Sequence, residues 1–305
     1  MKILVLGGSS FSGRAFIALA RSQSHEVAEL SRPEHDINGT LPVKAAEMVR
    51  DGFENVINFI ALNVVAASWD HAPDYYRTNV AGVARLASSL DGLPLRRFVQ
   101  VSTPEVYGTT RTFLKEDAGY RPSTPYALSR STADIHLALL HRERGFPVSF
   151  TRTVNVYGPG QQPYRIVPKA AICALTGKKL PLEGGGVSTR SFIHVRDMAE
   201  AYLAVLARGR AGAIYHIATP RQTSIRDLVE LICGRLGVPL SQVVEDAPER
   251  VGKDMAYQLD DSRIRAELGW RDKVNLVDGL DETVGWVKAN LASLSAGTTA
   301  YEHRA

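Results

Sequence analysis

Hydrophobic residues in the first half of the chain fall into short continuous runs, and between them lie segments whose apolar residues recur at helical spacing. A short continuous run predicts a strand buried on both faces, whereas recurrence every three to four residues predicts an amphipathic helix. Strands are predicted at 2–7, 26–31, 55–61, 96–103 and 147–153. Helices are predicted at 13–23, at 41–52 (a short helix or loop), at 73–90 and from about Tyr126 onward. This alternation indicates an α/β fold with a doubly wound parallel sheet covered on both faces.

The composition of the sequence changes after residue 154. Glycine- and proline-rich loops there separate further helices predicted at 166–177, 225–237 and 276–291. We expect a smaller lobe here that closes over the carboxyl ends of the sheet. The segment 191–207 interrupts this lobe and is expected to return to the main domain. The predicted division is therefore 1–157 plus about 191–216 for the main domain and 158–190 plus 217–292 for the smaller α/β lobe. The segment 293–305 has no periodicity and is expected to be a disordered tail.

Composition narrows the classes of partner. The chain has 305 residues, a net charge of +4 and 22% charged residues, which is ordinary for a globular protein. It carries no lysine- and arginine-rich run, so we expect no nucleic-acid partner, while a modest positive excess suits an anionic small molecule such as a nucleotide diphosphate. No apolar stretch is long enough to span a bilayer, so no membrane partner is expected.

The two cysteines and the histidines are expected to be structural. Cys173 and Cys233 lie in apolar helical contexts, which favours reduced thiols in a cytoplasmic protein. The histidines show no metal-ligand spacing, so the sequence predicts no metal site.

A glycine-rich stretch links the first predicted strand to the first helix. Gly7 and Gly13 occupy the first and last positions of a G-x-x-G-x-x-G spacing, and Ser10 occupies the middle one. Glycines in such a turn let the backbone approach a pyrophosphate, which then lies at the helix N-terminus. The stretch predicts dinucleotide binding by these residues together with Phe11 and Ser12. The alternative is a glycine-rich turn without a ligand.

The end of the second predicted strand bears on which dinucleotide binds. An acidic residue there binds the ribose 2′-hydroxyl of NAD, whereas arginine accommodates the 2′-phosphate of NADP. The chain has Ser31 and Arg32, which favours NADP slightly, although Arg32 as a solvated loop charge would leave NAD open. Asp36 and Ile37 are placed where the adenine edge would be recognised.

Together these motifs resemble the extended short-chain dehydrogenase/reductases, specifically the branch of nucleotide-sugar epimerases and dehydratases. The resemblance extends over nearly the whole chain and includes LGGSSFSG, NFIAL, YYRTNVAGVARL, VSTPEVYG, YRPSTPYALSRSTAD, TRTVNVYGPGQ, STRSFIHVRDMAEAYL and ERVGKDMAYQLDDSRIRAELGW. It implies a Rossmann domain that binds NAD or NADP, a smaller lobe that binds a nucleotide-diphosphate sugar, and a homodimer formed through 73–90 and the helix that follows Tyr126. Within the branch, STPEVYG and the late R-x-G-K-D are most similar to the 4,6-dehydratases that act on dTDP-glucose or GDP-mannose.

The resemblance also implies roles for individual residues. Thr103, Tyr126 and Arg130 would be the hydroxyl, tyrosine and cation at the nicotinamide, and Glu105 the base at the sugar C5. Ala61 and Asn79 would complete the cofactor site, with Asn79 stabilising the helix that carries Tyr126. The residues that would meet the substrate diphosphate or nucleoside are Asn155, Lys169, Arg190, Tyr215 and Arg250.

The family chemistry requires a phenolate at Tyr126, because the O4 proton must leave as hydride departs from the sugar C4. A tyrosine has an ordinary pKa of about 10, so a nearby cation is needed. Arg130 lies one helical turn away and can supply the charge. The family normally carries lysine there, and the more diffuse charge of a guanidinium predicts reduced but not absent turnover.

Two residues near the end of the fourth predicted strand bear on the outcome of the reaction. Glu105 is expected on the same strand face as Thr103, and Pro104 stands where the dTDP-glucose enzymes carry an acidic proton donor. A 4-epimerase needs no base at C5, so Glu105 counts against that reading, while a UDP-glucuronate decarboxylase also carries this glutamate. A catalytically weak NADP sensor is the alternative from another class.

Overall fold

A computed structural model describes residues 1–110, 112–249, 252, 254–296 and 301–303 of the chain. In these residues the strands are β1 (Lys2–Leu6), β2 (Glu26–Leu30), β3 (Asn55–Asn58), β4 (Arg97–Ser102), β5 (Val148–Thr153), β6 (Asn155–Tyr157), β7 (Leu180–Glu183), β8 (Thr189–Arg190), β9 (Phe192–His194), β10 (Ile214–Ile217), β11 (Thr223–Ser224) and β12 (Val244–Ala247).

The α-helices, in chain order, are α1 (Phe11–Ser22), α2 (Leu41–Arg50), α3 (Ala67–Asp70), α4 (Ala72–Tyr76), α5 (Val83–Leu90), α6 (Pro125–Arg144), α7 (Ile166–Thr176), α8 (Val195–Arg208), α9 (Ile225–Leu236), α10 (Leu240–Val243), α11 (Ser262–Leu268), α12 (Leu276–Ala289) and α13 (Leu291–Ala296). A π-helical segment, Arg77–Gly82, joins α4 to α5, and short 3₁₀ turns occur at Pro104–Tyr107 and Gly184–Gly186.

The main sheet has the order β10-β5-β4-β3-β1-β2, and all of its neighbouring strands are parallel. One hydrophobic core lies between the sheet and helices α1 and α8, and a second lies between the opposite face and helices α2, α5 and α6. The predicted doubly wound parallel sheet is confirmed. The strand that follows β1 in the chain, β2, lies on one side of it, and the next strand, β3, lies on its other side. A crevice therefore opens beyond the carboxyl ends of β1 and β3.

The helix predicted at 73–90 is interrupted, because the π-helical segment Arg77–Gly82 occupies its centre. Its wider turn places Thr78 and Asn79 in the protein interior. The Asn79 amide then bonds both to the peptide at Leu62 and to the Ser129 hydroxyl. Insertions of this kind often lie at functional sites.

A third hydrophobic core belongs to the region that follows β6 and is built mainly by α7, α9 and α12. The segment 191–217 divides this region: α8 packs against α1, and β10 pairs with β5 at the edge of the main sheet.

The sequence predicted a disordered tail at 293–305, but the described parts of this segment have defined contacts. Residues 293–296 complete α13, and 301–303 contact the body of the protein. Among the described residues, no helix is long and apolar enough to cross a membrane.

The packing of the central sheet generates the first prediction. Phe98 on β4 is fully buried, and its ring centroid lies 5.4 Å from that of Phe146. Phe98→Ala is therefore expected to lower the free energy of unfolding by about 3–5 kcal/mol, because it removes buried contacts and leaves a cavity. Urea denaturation measures this loss. Val43→Ala, at a 65% exposed position of α2, is the control and should change it by less than about 0.5 kcal/mol.

Candidate active site

A cleft of about 630 Å³ lies beyond the carboxyl ends of the main sheet, and the smaller lobe forms its opposite wall. This volume is within the range of sites that hold small molecules. The cleft brings together many of the residues that the sequence proposed: Ser10, Phe11, Ser12, Ala61, Thr103, Glu105, Tyr126, Arg130, Asn155, Lys169 and Arg190.

The glycine-rich loop is packed too closely for larger residues. A Cβ atom at Gly13 would lie 2.7 Å from both the Gly7 carbonyl oxygen and the Gly8 Cα, and both are backbone atoms that cannot move aside. Gly7 itself has a φ of +76°, which glycine adopts without strain. Ser10, at the middle position of the motif, caps α1 by accepting a hydrogen bond from the Gly13 N–H at 3.1 Å. The N-terminus of α1 consequently faces the cleft, where its dipole favours an anionic group.

An acidic side chain that the sequence argument passed over lies at the end of β2. The Glu29 carboxylate approaches the loop so closely that a Cβ at Gly8 would lie 2.7 Å from its Cδ. The Ser31 hydroxyl donates to Glu29 Oε1 at 2.7 Å and accepts from the Ser9 N–H at 3.2 Å. The carboxylate is therefore held beside the loop, at the place where an acidic residue binds a ribose hydroxyl.

The other residues proposed for the adenosine end lie away from the cleft lining. Arg32 pairs with Asp36 at 3.9 Å, and Asp36 also accepts from the Asn38 N–H at 2.6 Å. The Ile37 side chain is buried in the core between the sheet and helices α2 and α5. The sequence analysis expected Ile37 along an adenine edge, but its side chain lies in this core. An isoleucine side chain gains most from burial among apolar side chains.

Thr103, Tyr126 and Arg130 come together at the centre of the cleft. Tyr126 and Arg130 lie in the first turns of α6, which begins at the N-cap Thr124. The Tyr126 phenol bonds to the Thr103 side chain just beyond β4. The Arg130 guanidinium donates to the Val101 carbonyl through Nη2, while its Nε and Nη1 find no hydrogen-bond partner in the described part of the chain. Arg130 therefore has donors available for a ligand.

Burial dominates the ionisation of the central tyrosine. It raises the pKa of Tyr126, because a phenolate is poorly solvated there, and the negative charge of Glu105 acts in the same direction. The positive charge of Arg130 and the hydrogen bond from Thr103 act against this rise without overcoming it. The sequence analysis expected Arg130 to hold Tyr126 as a phenolate. The protein residues alone do not do so, because the pKa of Tyr126 stays raised.

A chain of buried charges continues behind Arg130. Asp134, one turn further along α6, is fully buried and accepts from the Ser102 hydroxyl at 2.7 Å and from Arg152 at 3.4 Å. The Arg152 guanidinium lies 4.5 Å and 4.7 Å from the ring centroids of Tyr107 and Tyr120. Burial raises the pKa of Asp134, and the two arginines oppose the rise. The sequence reasoning missed this network, since its members meet only in the fold.

Glu105 lines the cleft but lies on a 3₁₀ turn, not on the strand face that the sequence predicted. The reason is local: Pro104 fits the first position of a helical turn, and Thr103 caps that turn by accepting from the Glu105 N–H at 3.3 Å. The Glu105 carboxylate bonds to the Tyr257 hydroxyl. Tyr257 is 5% exposed, and burial raises its pKa well above the ordinary value, so its hydroxyl stays protonated.

The far end of the cleft contains the cationic residues of the smaller lobe. Lys169 on α7 and Asn155 on β6 both line it, as does Arg165, which the sequence reasoning missed and which donates to Asn63 at 2.9 Å. Arg190 donates to the carbonyls of Thr189, Met255 and Asp254 and stacks on Tyr257 at 4.3 Å. Arg190 therefore anchors the cleft wall, since its Nη1 and Nη2 both donate to backbone carbonyls.

One of the proposed substrate residues, Tyr215, lies outside the cleft lining. Tyr215 is fully buried on β10, where its hydroxyl donates to Glu267 at 2.9 Å and accepts from the Arg210 N–H. A tyrosine on this sheet edge satisfies its hydroxyl locally, which corrects the expectation that it would meet the substrate. Arg250 lies outside the described residues.

The fold brings together a cluster of possible metal ligands: His71, Asp74 and His303. Their spacing in the sequence did not predict the cluster, because it joins distant parts of the chain. The two imidazole rings are stacked at 3.9 Å with an interplanar angle of 8°. Parallel rings do not direct their in-plane lone pairs at one point, so the arrangement is that of a stacked pair with an ion pair to Asp74, and not of a metal centre.

Comparison with known proteins places the chain. It matches the model of the NAD dependent epimerase/dehydratase family over residues 3–218, and it belongs to that family. It is 32% identical over 317 residues to the dTDP-glucose 4,6-dehydratase of Streptomyces niveus, covering 96% of this chain and 94% of that protein. It is 36% identical over 239 residues to the dTDP-glucose 4,6-dehydratase of Streptomyces griseus, covering 78% of this chain and 73% of that protein.

Among solved structures, the fold is similar to that of DesIV, a dTDP-glucose 4,6-dehydratase from Streptomyces venezuelae crystallised with NAD and TYD bound. The TM-score is 0.92 at 31% identity, covering 97% of this chain and 99% of that chain. The resemblance to the nucleotide-sugar epimerase and dehydratase branch is confirmed. The slight preference for NADP finds no support, since this relative was solved with NAD.

The packing of the glycine-rich loop generates the second prediction. Gly13→Ala forces α1 away from the loop and is expected to weaken NAD binding at least tenfold, or about 1.4 kcal/mol. Isothermal titration with NAD measures the change. Gly39→Ala is the control, because a Cβ there meets no atom closer than 3.8 Å. Equal affinities of the two variants would show that the loop does not hold the dinucleotide.

Proposed function

We propose that the protein is an NAD-dependent nucleotide-sugar 4,6-dehydratase, with dTDP-glucose as the best-supported substrate. The observation that carries the proposal is the presence of Tyr126 and Glu105 in one cleft, close enough for the charge of Glu105 to affect the ionisation of Tyr126. A dehydratase needs both a base at O4 and a base at C5. The relatives reported above act on dTDP-glucose according to their names, which supports this substrate.

The described residues fit a dinucleotide. The glycine-rich loop provides a cradle that a Cβ at Gly13 would fill, and Arg130 keeps two buried donors without partners in the described residues. We assign Arg130 to the nicotinamide ribose and the N-terminus of α1 to the pyrophosphate. Glu29 beside the loop favours the ribose hydroxyl of NAD over a 2′-phosphate, because two anionic groups would repel each other. Bound NAD supplies the hydride acceptor, and it later returns the same hydride.

The oxidation at the sugar C4 uses Tyr126 as general base. Its phenol takes the O4 proton while hydride leaves C4, and Thr103 holds both the phenol and the O4 atom in line. The positive charge of Arg130 opposes the burial that raises the pKa of Tyr126, and an oxidised nicotinamide held there would add a second positive charge. General base catalysis of this kind contributes about 10²–10⁴-fold.

The elimination of water uses Glu105. The C4 ketone makes the C5 hydrogen acidic, and the Glu105 carboxylate removes it. The C6 hydroxyl needs a proton to leave, and Pro104 has none to give. Tyr257, bonded to Glu105 and kept protonated by burial, is placed to relay this proton, as is Glu105 itself once it is protonated. Hydride returns to C6, so the net reaction consumes no reductant.

The diphosphate of the substrate is assigned to the cationic end of the cleft. Arg165 is the N-cap residue of α7, and Lys169 lies one turn into that helix. The helix dipole adds partial positive charge where these two side chains converge. Asn155 lies between this end and the redox centre and is assigned to the sugar or its phosphate.

A homodimer is part of the proposal. Leu128, Ile135 and Leu139 on α6 are 46%, 53% and 44% exposed, and their spacing of seven and four residues places them on one helix face. Tyr76, near the adjoining π-helical segment, is 39% exposed. An apolar face of this kind suits a second copy of the chain, which agrees with the interface implied by the family resemblance.

The third prediction tests the function. Purified protein with NAD and a panel of dTDP-, UDP-, GDP- and CDP-sugars is expected to yield a 4-keto-6-deoxy product lighter by one water. Deuterium at C4 of the substrate should reappear at C6. Glu105→Gln should retain C4 oxidation, visible as reduced-nicotinamide absorbance in a single turnover, and should lose product formation by about 10²–10⁴-fold. Glu47→Gln on the exposed face of α2 is the control.

Three outcomes would contradict the dehydratase assignment. These are an epimerised sugar, released CO₂ from a glucuronate substrate, and NAD binding without turnover of any sugar in the panel. The last would favour a sensor.

The fourth prediction concerns Arg130. Lysine concentrates the charge on one atom, so Arg130→Lys is expected to lower the pKa of Tyr126 and raise turnover about threefold. Because the base must be ionised, kcat/KM rises with pH through this pKa. The rising limb should therefore shift to lower pH in Arg130→Lys and to higher pH in Arg130→Met. A tenfold or greater loss of turnover in Arg130→Lys would show that the guanidinium itself is required.

A further inference from the structure

The tripeptide Tyr301-Glu302-His303, near the end of the sequence, returns to the main domain, far in sequence from the residues it contacts. Tyr301 lines the same cleft as the redox centre. His303 Nε2 lies 3.0 Å from the Asp74 carboxylate just before the π-helical segment, and its ring stacks on His71 at 3.9 Å. The tripeptide is therefore attached to the protein at one residue and reaches the cleft with another.

The attachment at His303 is partly shielded from water. The His303 and Asp74 side chains are 13% and 26% exposed. The hydrogen bond from His303 is the main reason that the pKa of Asp74 is lowered, which shows that the carboxylate is stabilised by this contact. The His303 ring is also nearly parallel to that of Tyr75, at 6.1 Å and 12°. Stacking on one side and an acceptor on the other fix the orientation of the imidazole.

Tyr301 stands between the two walls of the cleft. Its ring meets that of Tyr164, from the smaller lobe, edge to face at 5.6 Å. Its hydroxyl bonds with Tyr75, from the main domain, and its ionisation is affected by the charges of both Arg165 and Arg32. Arg32 follows β2 at the adenosine end, whereas Arg165 belongs to the opposite wall. A side chain in this position bridges the two walls of the cleft.

Tyr75 connects the tripeptide to the redox centre. Its ring is fully buried and packs edge to face against Tyr126 at 6.2 Å, and its hydroxyl donates to the Val64 carbonyl at 2.6 Å. Val64 belongs to the cleft lining. The contacts of Tyr301 and His303 with Tyr75 therefore couple the position of the tripeptide to the wall that surrounds Tyr126.

We propose that Tyr301 is a further cofactor-binding residue, and that the His303 attachment holds it over the bound dinucleotide and slows its release. The inference rests on the proposed function, in which hydride is returned to the sugar in each cycle and the cofactor has no need to leave. A side chain that closes the groove above the cofactor suits such a cycle, because it hinders dissociation of a cofactor that the reaction does not consume.

The experiment measures the dissociation rate of NAD from the full-length protein in the absence of sugar. The complex with radiolabelled NAD is chased with excess unlabelled NAD. Tyr301→Ala and His303→Ala are each expected to raise the rate about fivefold or more, and Tyr301→Phe, which keeps the ring, by about twofold or less. Glu302→Gln, at the exposed residue between them, is the matched control and should leave the rate unchanged. NAD should also slow amide hydrogen exchange at 301–303 in the unaltered protein.

Rates for Tyr301→Ala and His303→Ala within twofold of the unaltered protein, or no effect of NAD on exchange at 301–303, would overturn the inference. The result is independent of the dehydratase assignment, because no sugar is present. A faster release of NAD from a protein that dehydrates no sugar would support the role of Tyr301 and reject the proposed substrate chemistry. Failure of NAD to bind at all would reject both.

Discussion

Arg130 carries a full positive charge although it is 2% exposed, and the phenol of Tyr126 beside it is 7% exposed. A guanidinium in such a place needs compensation, and on the protein side the Val101 carbonyl at the end of β4 accepts a hydrogen bond from it while the nearby Asp134 interacts with it through charge. The remaining donors are directed to a site where the structure offers no partner among the described residues. The whole arrangement of α6 against β4 thus holds one buried cation next to one buried acid.

The charges around this pair set the conditions under which the tyrosine can act. Burial raises the pKa of Asp134 behind Arg130, and the charge of Glu105 across the cleft makes the phenolate of Tyr126 harder to form. Arg152, held between Tyr107 and Tyr120, compensates Asp134 and leaves more of the field of Arg130 to Tyr126. In the proposed mechanism, an oxidised nicotinamide would add the positive charge that the protein residues lack. Tyr126 would then act as a base when the oxidised cofactor is bound, which is the state in which a proton must be taken.

The sequence predicted those parts of the fold and the site that depend on local patterns. The continuous apolar strands gave the parallel sheet, and the spacing of Tyr126 and Arg130 placed them on one helix face because α6 is regular there. Local chemistry also explains two errors. Pro104 starts a 3₁₀ turn that takes Glu105 off the strand, and the π-helical segment Arg77–Gly82 has no signature in a helical periodicity.

What the sequence could not predict depends on contacts between distant residues. Glu29 reaches the loop only because β2 lies beside β1, and Tyr215 is satisfied by Glu267 from α11. Tyr257 meets Glu105 across the cleft, and Tyr301 reaches it from the C-terminus. Each of these tyrosines was one of 11 in the chain, and nothing in its neighbours along the sequence distinguished it.

The ionisation of Tyr126 itself is the most direct measure of this account. The ultraviolet absorbance of phenolate, recorded against pH for the unaltered protein minus Tyr126→Phe, isolates this one tyrosine. We expect an apparent pKa above the ordinary value of about 10 without cofactor, and a lower apparent pKa when NAD is bound. A pKa that is already depressed in the free protein, or that does not respond to NAD, would contradict it.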